Sequence, residues 1–185
     1  MDSVKLMMEE HQNILRMLEV VRNACYGIYK GEDICYEDFA KMIDFIRNYA
    51  DNHHHGKEEK LLFNRMVEHL GPVGTKLITH GMMVEHDFGR LYIRELEEAL
   101  EEVKKGDDTR IIDVIANAVG YTNLLKRHIQ KEDTVVYSFA TRQLSKEIID
   151  QVNQETADFE AEADKNGTRT HYLDILEELE KKYSK

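Results

Sequence analysis

The sequence predicts an all-α protein: an up-down-up-down four-helix bundle with additional C-terminal helices. Three observations carry that prediction. Four long stretches keep their apolar residues at helical spacing. The chain holds a single proline, Pro72, and its glycines fall mostly at breaks between those stretches, such as Gly31, Gly71, Gly74, Gly106 and Gly167. Two of the stretches carry a histidine and a glutamate four residues apart, His54 with Glu58 and His128 with Glu132, a spacing that puts both on one helix face. At 185 residues the chain is long enough for one domain with a substantial core.

The first helix is expected from about Ser3 to Tyr29, with His11, Leu15 and Leu18 on one stripe, and Lys30-Gly31-Glu32-Asp33 ends it. The second runs from about Tyr36 to His69, with Ile43, Ala50, His54, Glu58 and Leu61 close to one face. Leu70-Gly71-Pro72-Val73-Gly74 then breaks the pattern. The third starts at Val73 or Thr75, is loosened at Gly81 and ends at Lys104. Gly106-Asp107-Asp108 supplies a turn and an N-cap for the fourth, Thr109 to Leu144. Short connections imply antiparallel neighbours. Residues 1–144 are thus read as the bundle and 145–185 as a helical extension packed on it. The extension has a helix to about Ala163, a break at Asn166-Gly167-Thr168, and a terminal helix from Tyr172.

A formal net charge of −11 argues against a nucleic-acid partner, since a phosphate backbone needs a basic face, and it suits a protein that attracts cations. Cys25 and Cys35 form no CxxC or zinc-type spacing, so neither a disulfide framework nor a thiolate metal site is indicated. There is no signal-peptide core and no apolar run of membrane-spanning length. The expectation is a soluble cytoplasmic protein with no membrane partner.

The chemistry lies in the histidines. In a bundle, His11, His54, His86 and His128 come from four different helices and can point inward at a similar level. Glu58 and Glu132 supply two carboxylates able to bridge two metals. At about 100° per residue, Glu58 falls between His54 and His55 around its helix, so each imidazole could hold one of two ions that Glu58 bridges. Imidazole and carboxylate without thiolate suit iron, manganese or zinc, and iron makes such a site useful with oxygen. The Glu-x-x-His pairs of ferritin-like sites are absent, as are His-Glu-x-x-His and Cys-x-x-Cys-His.

The pieces Glu10-His11, His54-His55-Gly56-Lys57-Glu58-Glu59 with Leu61-Leu62-Phe63, Glu85-His86-Asp87-Phe88-Gly89-Arg90, and His128-Ile129-Gln130-Lys131-Glu132 resemble the hemerythrin-like family of histidine/glutamate cation-binding bundles. The resemblance spans residues 10 to 137. It implies a four-helix bundle around a non-haem centre of two iron ions, bridged by two carboxylates and an oxo or hydroxo group. It also implies reversible binding of dioxygen or a related small molecule at one iron. Oxygen carriers of the family place a second histidine one turn before the position of His86, where this chain has Met82. His55 is the replacement candidate and His80 the runner-up. Asp133 competes with Glu132 for the second carboxylate. The missing partner also implies an asymmetric shell, with the small molecule on the less saturated iron, in a pocket of residues such as Leu15, Leu62, Tyr121 and Leu125.

Other residues carry blander readings. His53, His69 and His171 read as surface or hydrogen-bonded core residues, Glu59 and Asp133 as solvated helix faces, and the methionines as core filler. Three functions are then in view. A di-iron protein that reversibly binds dioxygen or nitric oxide, as carrier, sensor or scavenger, is preferred, because few anionic ligands favour binding over turnover. The alternative is a di-iron enzyme acting on peroxide or nitric oxide, or repairing iron centres. Repair is the weaker branch, since relatives of that type carry an N-terminal cysteine-bearing segment and this bundle is expected to begin by residue 3. Iron storage or an iron-dependent regulatory module is the third.

Overall fold

Asp2 opens the first helix by accepting the Lys5 N–H at 3.1 Å, satisfying one of the donors a helix start leaves without an internal partner. In the computed structural model, which describes residues 1–184, six helices follow and no strand occurs among the described residues. We number them α1 (Ser3–Tyr29), α2 (36–69), α3 (71–104), α4 (108–143), α5 (Lys146–Lys165) and α6 (Thr168–Tyr183). No helix among the described residues is long and apolar enough to cross a membrane.

Three boundaries differ from expectation. Helix α3 begins at Gly71 rather than 73 or 75, because Pro72 sits in its first turn, where a missing N–H costs nothing. Gly71 itself turns the chain at φ +58°, a conformation L side chains rarely adopt. Gly74 lets α3 leave α2 at close range: a Cβ there would stand 2.3 Å from the Met66 carbonyl oxygen. Helix α4 starts with a single 3₁₀ turn, Asp108–Arg110, after Asp107 caps Thr109 N–H. Helix α6 restarts at Thr168 instead of Tyr172, directly after Gly167.

A further departure concerns pitch. The hydrogen bonding slips to i→i+5 over Ile46–His55 and Glu58–Phe63 in α2, Ile78–Met82 in α3 and Glu132–Val136 in α4. The Gly56 N–H, for instance, reaches the Asp51 carbonyl. Such π turns widen a helix and cluster at functional sites. Here they border the same level of the molecule in three helices.

That level separates two apolar clusters. One contains Ile14 to Cys25 of α1, Phe39 to Ala50 of α2, Ile93 to Val103 of α3 and Val114 to Ile129 of α4. The other contains Met7, Leu62 to Met66, Ile78, Met82 and Val136 to Leu144. Each of α1 to α4 therefore passes from one cluster to the other, and His11, His54, His86 and Glu132 lie at the crossings. Val152 of α5 joins the second cluster, whereas Tyr172, Leu176 and Leu179 of α6 join the first. Polar bonds add to this: Ser3 N–H donates to Asn153 at 2.9 Å, and Arg16 grips Glu180 with two N–H donors.

Candidate metal centre

Between the two apolar clusters lie His11, His54, His55, Glu58, His86, His128 and Glu132, every one buried. Their ligand-type atoms fall into two groups, each within 4.8 Å: His55, Glu58, His86 and His128, and His11, His54, Glu58 and Glu132. Glu58 belongs to both. Glu132 also faces both, with one oxygen 3.0 Å from His128 Nε2 and the other 3.3 Å from His11 Nε2. Glu58 Oε2 stands 3.7 Å from His54 Nε2 and 3.6 Å from His86 Nε2. The layer is thus two carboxylates flanked by three imidazoles on one side and two on the other.

The outer ring nitrogens are all taken. His11 Nδ1 meets Asp133 at 2.7 Å, His54 meets Glu10 at 2.8 Å, and His55 meets Asp51 at 3.2 Å. His86 meets Glu59 at 2.7 Å and His128 meets Glu85 at 2.9 Å. A carboxylate on Nδ1 keeps the proton there, so Nε2 presents a lone pair to the centre and the ring becomes a better donor. Cations hold several of these carboxylates in turn: Arg90 bonds both Asp51 and Glu59, and Lys131 bonds Glu85.

The inner atoms lack what the outer ones have. His54 Nε2, Glu58 Oε2 and both oxygens of Glu132 are buried and make no hydrogen bond, although His128 Nε2 lies 3.0 Å from Glu132. Such orphans are rare and costly in a folded interior. His86 Nε2 and His128 Nε2 face each other at 3.0 Å, where two lone pairs repel unless a proton or a metal ion intervenes. Burial and the neighbouring Glu132 raise the Glu58 carboxyl to about 8, while Glu132 is held well below the usual range. Burial opposes charge on His11 and His128, yet their carboxylate partners win and raise them to about 9 and about 10. Burial and a neighbouring imidazole push His54 down to about 4, and His55 falls well below 6.5. Without metal the layer therefore holds itself together with protons. A donor set of imidazole nitrogens and carboxylate oxygens, with lone pairs converging on two points, fits divalent cations.

The structure sorts the candidates read from the sequence and corrects some of those readings. His80 is exposed on α3, whereas His55 is buried and stacks on His86 with ring centroids 3.8 Å apart. Asp133 turns away from the centre to hold His11, and Glu59 is no solvated face but the partner of His86. His53 is a hydrogen-bonded core residue between Glu10 and Glu160, while His69 and His171 lie on the surface. A cleft of about 100 Å³ reaches His55 and His86 past Tyr121, Gly89, Ile46 and Ile93, with Asp51 and Arg90 at its side. Of the four expected pocket residues it touches Tyr121; Leu15 and Leu125 pack in one apolar cluster and Leu62 in the other.

Tyr137 escaped the sequence reading. It is fully buried, stacks on His11, and donates its O–H to Glu58 Oε1 at 2.5 Å. Burial raises the phenol well above its ordinary value, so it keeps its proton. Its position five residues after Glu132 matches the π turn that separates them, and α-helical spacing gives no hint of it.

A family model described as the hemerythrin HHE cation-binding domain matches residues 2–140. Comparisons with curated proteins and with solved structures gave no match.

Proposed function

This chain belongs to the hemerythrin HHE cation-binding domain family, and from that membership we propose a non-haem di-iron protein that reversibly binds dioxygen or nitric oxide. His55, His86 and His128 would hold one ion, His11 and His54 the other, with Glu58 and Glu132 between them. The observation that carries the reading is the set of five imidazoles, each fixed by a carboxylate on Nδ1 and aimed at two carboxylates whose inner oxygens have no hydrogen bond. The four helices α1 to α4 form an up-down-up-down bundle in this reading. The support is that α1 and α3 pass from the Met7–Met82 cluster to the larger one, while α2 and α4 pass the opposite way.

Iron would supply the redox change and the coordination position that a diatomic ligand requires. The chain supplies the rest. The outer carboxylates set each ring's tautomer and aim. The apolar clusters on both sides limit the approach of water to the layer, which the cleft beside His55 and His86 reaches. Tyr137 donates its one O–H to Glu58 Oε1 and so fixes that carboxylate at the two-histidine side, with the phenol oxygen 3.5 Å from His11 Nε2. The imidazoles divide three against two, so with both carboxylates shared the His11/His54 ion would be the less saturated of the two.

The test is optical and kinetic. The iron-loaded protein should show visible charge-transfer absorption that responds to azide and to oxygen, with little consumption of peroxide. Rapid multiple-turnover peroxide consumption without such a response would replace binding by catalysis.

A further inference from the structure

Glu160 lies on α5, outside the matched residues 2–140, yet its carboxylate enters the shell behind His54. The link is Lys57, whose side chain is 0% exposed. Its ammonium bonds both Glu10 and Glu160 and lies 3.1 Å from His53 Nε2. The other oxygen of Glu10 holds His54 Nδ1. Phe159, beside Glu160, closes this cluster: its ring centroid is 5.6 Å from Lys57 Nζ and 5.4 Å from the centroid of His53. The path His54–Glu10–Lys57–Glu160 therefore runs from a candidate ligand to the C-terminal extension through buried, charged, directly bonded groups.

The other candidate ligands are braced differently. The carboxylates behind His55, His86 and His128 are held by Arg90 and Lys131, whose side chains are 39% and 43% exposed and belong to α3 and α4. Water can substitute for part of those bonds. At His54 it cannot, and a charge removed there leaves its partners buried.

We propose that Glu160 is a positioning residue for the His11/His54 cation position, acting through Lys57 and Glu10, so that filling this position and docking α5 are coupled. The proposal rests on the metal reading above. Lys57 divides one positive charge between two carboxylates. Without Glu160 it bears on Glu10 alone, draws electron density from the oxygen facing His54, and makes that imidazole a poorer donor. Coupling is reciprocal. A cation on His54 Nε2 polarises Nδ1–H, strengthens its bond to Glu10, and tightens Lys57 and Glu160 behind it.

The experiment titrates full-length, metal-free protein with ferrous iron under anaerobic conditions, against a competing chelator, and follows hydrogen exchange over residues 146–165. Two binding steps are expected in the wild type. Glu160→Gln should weaken one step by about tenfold, the lower end for outer-shell partners of metal ligands, and leave the other unchanged. Glu160→Asp should restore part of the loss. Iron should raise protection of α5 in the wild type, a readout that needs no variant to fold. The proposal is overturned if Glu160→Gln weakens both steps alike or neither while Glu10→Gln weakens one, or if iron leaves α5 exchange unchanged. Absence of two iron-binding steps in the wild type would instead sink the metal reading, and this proposal with it.

Discussion

At the scale of residues, the layer is a balance of protons that metal ions would displace. His11 and His128, raised from 6.5 to about 9 and about 10, and Glu58, raised from 4.5 to about 8, each bind a proton more tightly folded than unfolded. Their contribution to stability is full below the unfolded values and is lost as pH climbs through the folded ones. His54 and His55 shift downward, so their effect falls below pH 6.5 and is flat above it. Between pH 6.5 and 9 only the raised groups act, all in one direction. The metal-free protein should melt at a lower temperature at pH 9 than at pH 6.5, and the loaded protein should not share that fall, because cations replace the protons. Thermal melts of both forms at the two pH values test this; a metal-free form equally stable at pH 9 would contradict it. Much at this scale was legible in the sequence. Two His-x-x-x-Glu pairs and the run His53-His54-His55 pointed to the layer, since i,i+4 spacing survives a modest change of pitch. The outer carboxylates showed less: Glu10 and Glu85 reach histidines on other helices by contacts no periodicity encodes, and only Asp51, one turn before His55, has a helical spacing that could have marked it.

At the scale of elements, helix extents followed the apolar spacing closely, while pitch did not. The π turns of α2, α3 and α4 have no signature in composition; they occur beside the level at which the polar layer enters the core. Tyr137 was missed for this reason. The α2–α3 corner is tighter than glycine and proline alone suggested. Gly74→Ala would drive a methyl into the Met66 carbonyl, a backbone atom that cannot swing aside. The expected cost is about 1–3 kcal/mol, the usual range for overpacking. Chemical denaturation would measure it, and a variant as stable as the parent would show that the corner relaxes freely.

At the scale of the whole molecule, a buried layer of imidazoles and carboxylates divides the core, and the fold tolerates it through protons or through metal. Ions that bind only the folded form stabilise it by mass action. Chelation should therefore lower the melting temperature of the loaded protein, and Glu132→Ala should abolish the difference between loaded and metal-free forms. Unchanged melting after chelation would show that the layer needs no metal. The extension of α5 and α6 closes over this arrangement, with Glu160 behind His54 and Leu176 and Leu179 in the main core. The sequence marked these helices as an addition without showing how deep they reach, because a glutamate bound for a buried lysine looks like any surface glutamate. The central claim is that five histidines and two carboxylates hold two iron ions side by side. Anomalous diffraction at the iron absorption edge from crystals of the iron-loaded protein tests it most directly. The expected map has two peaks, one among His55, His86 and His128 and one beside His11 and His54, with Glu58 and Glu132 between them. A map with no peak in this layer, or a single one, would contradict the account.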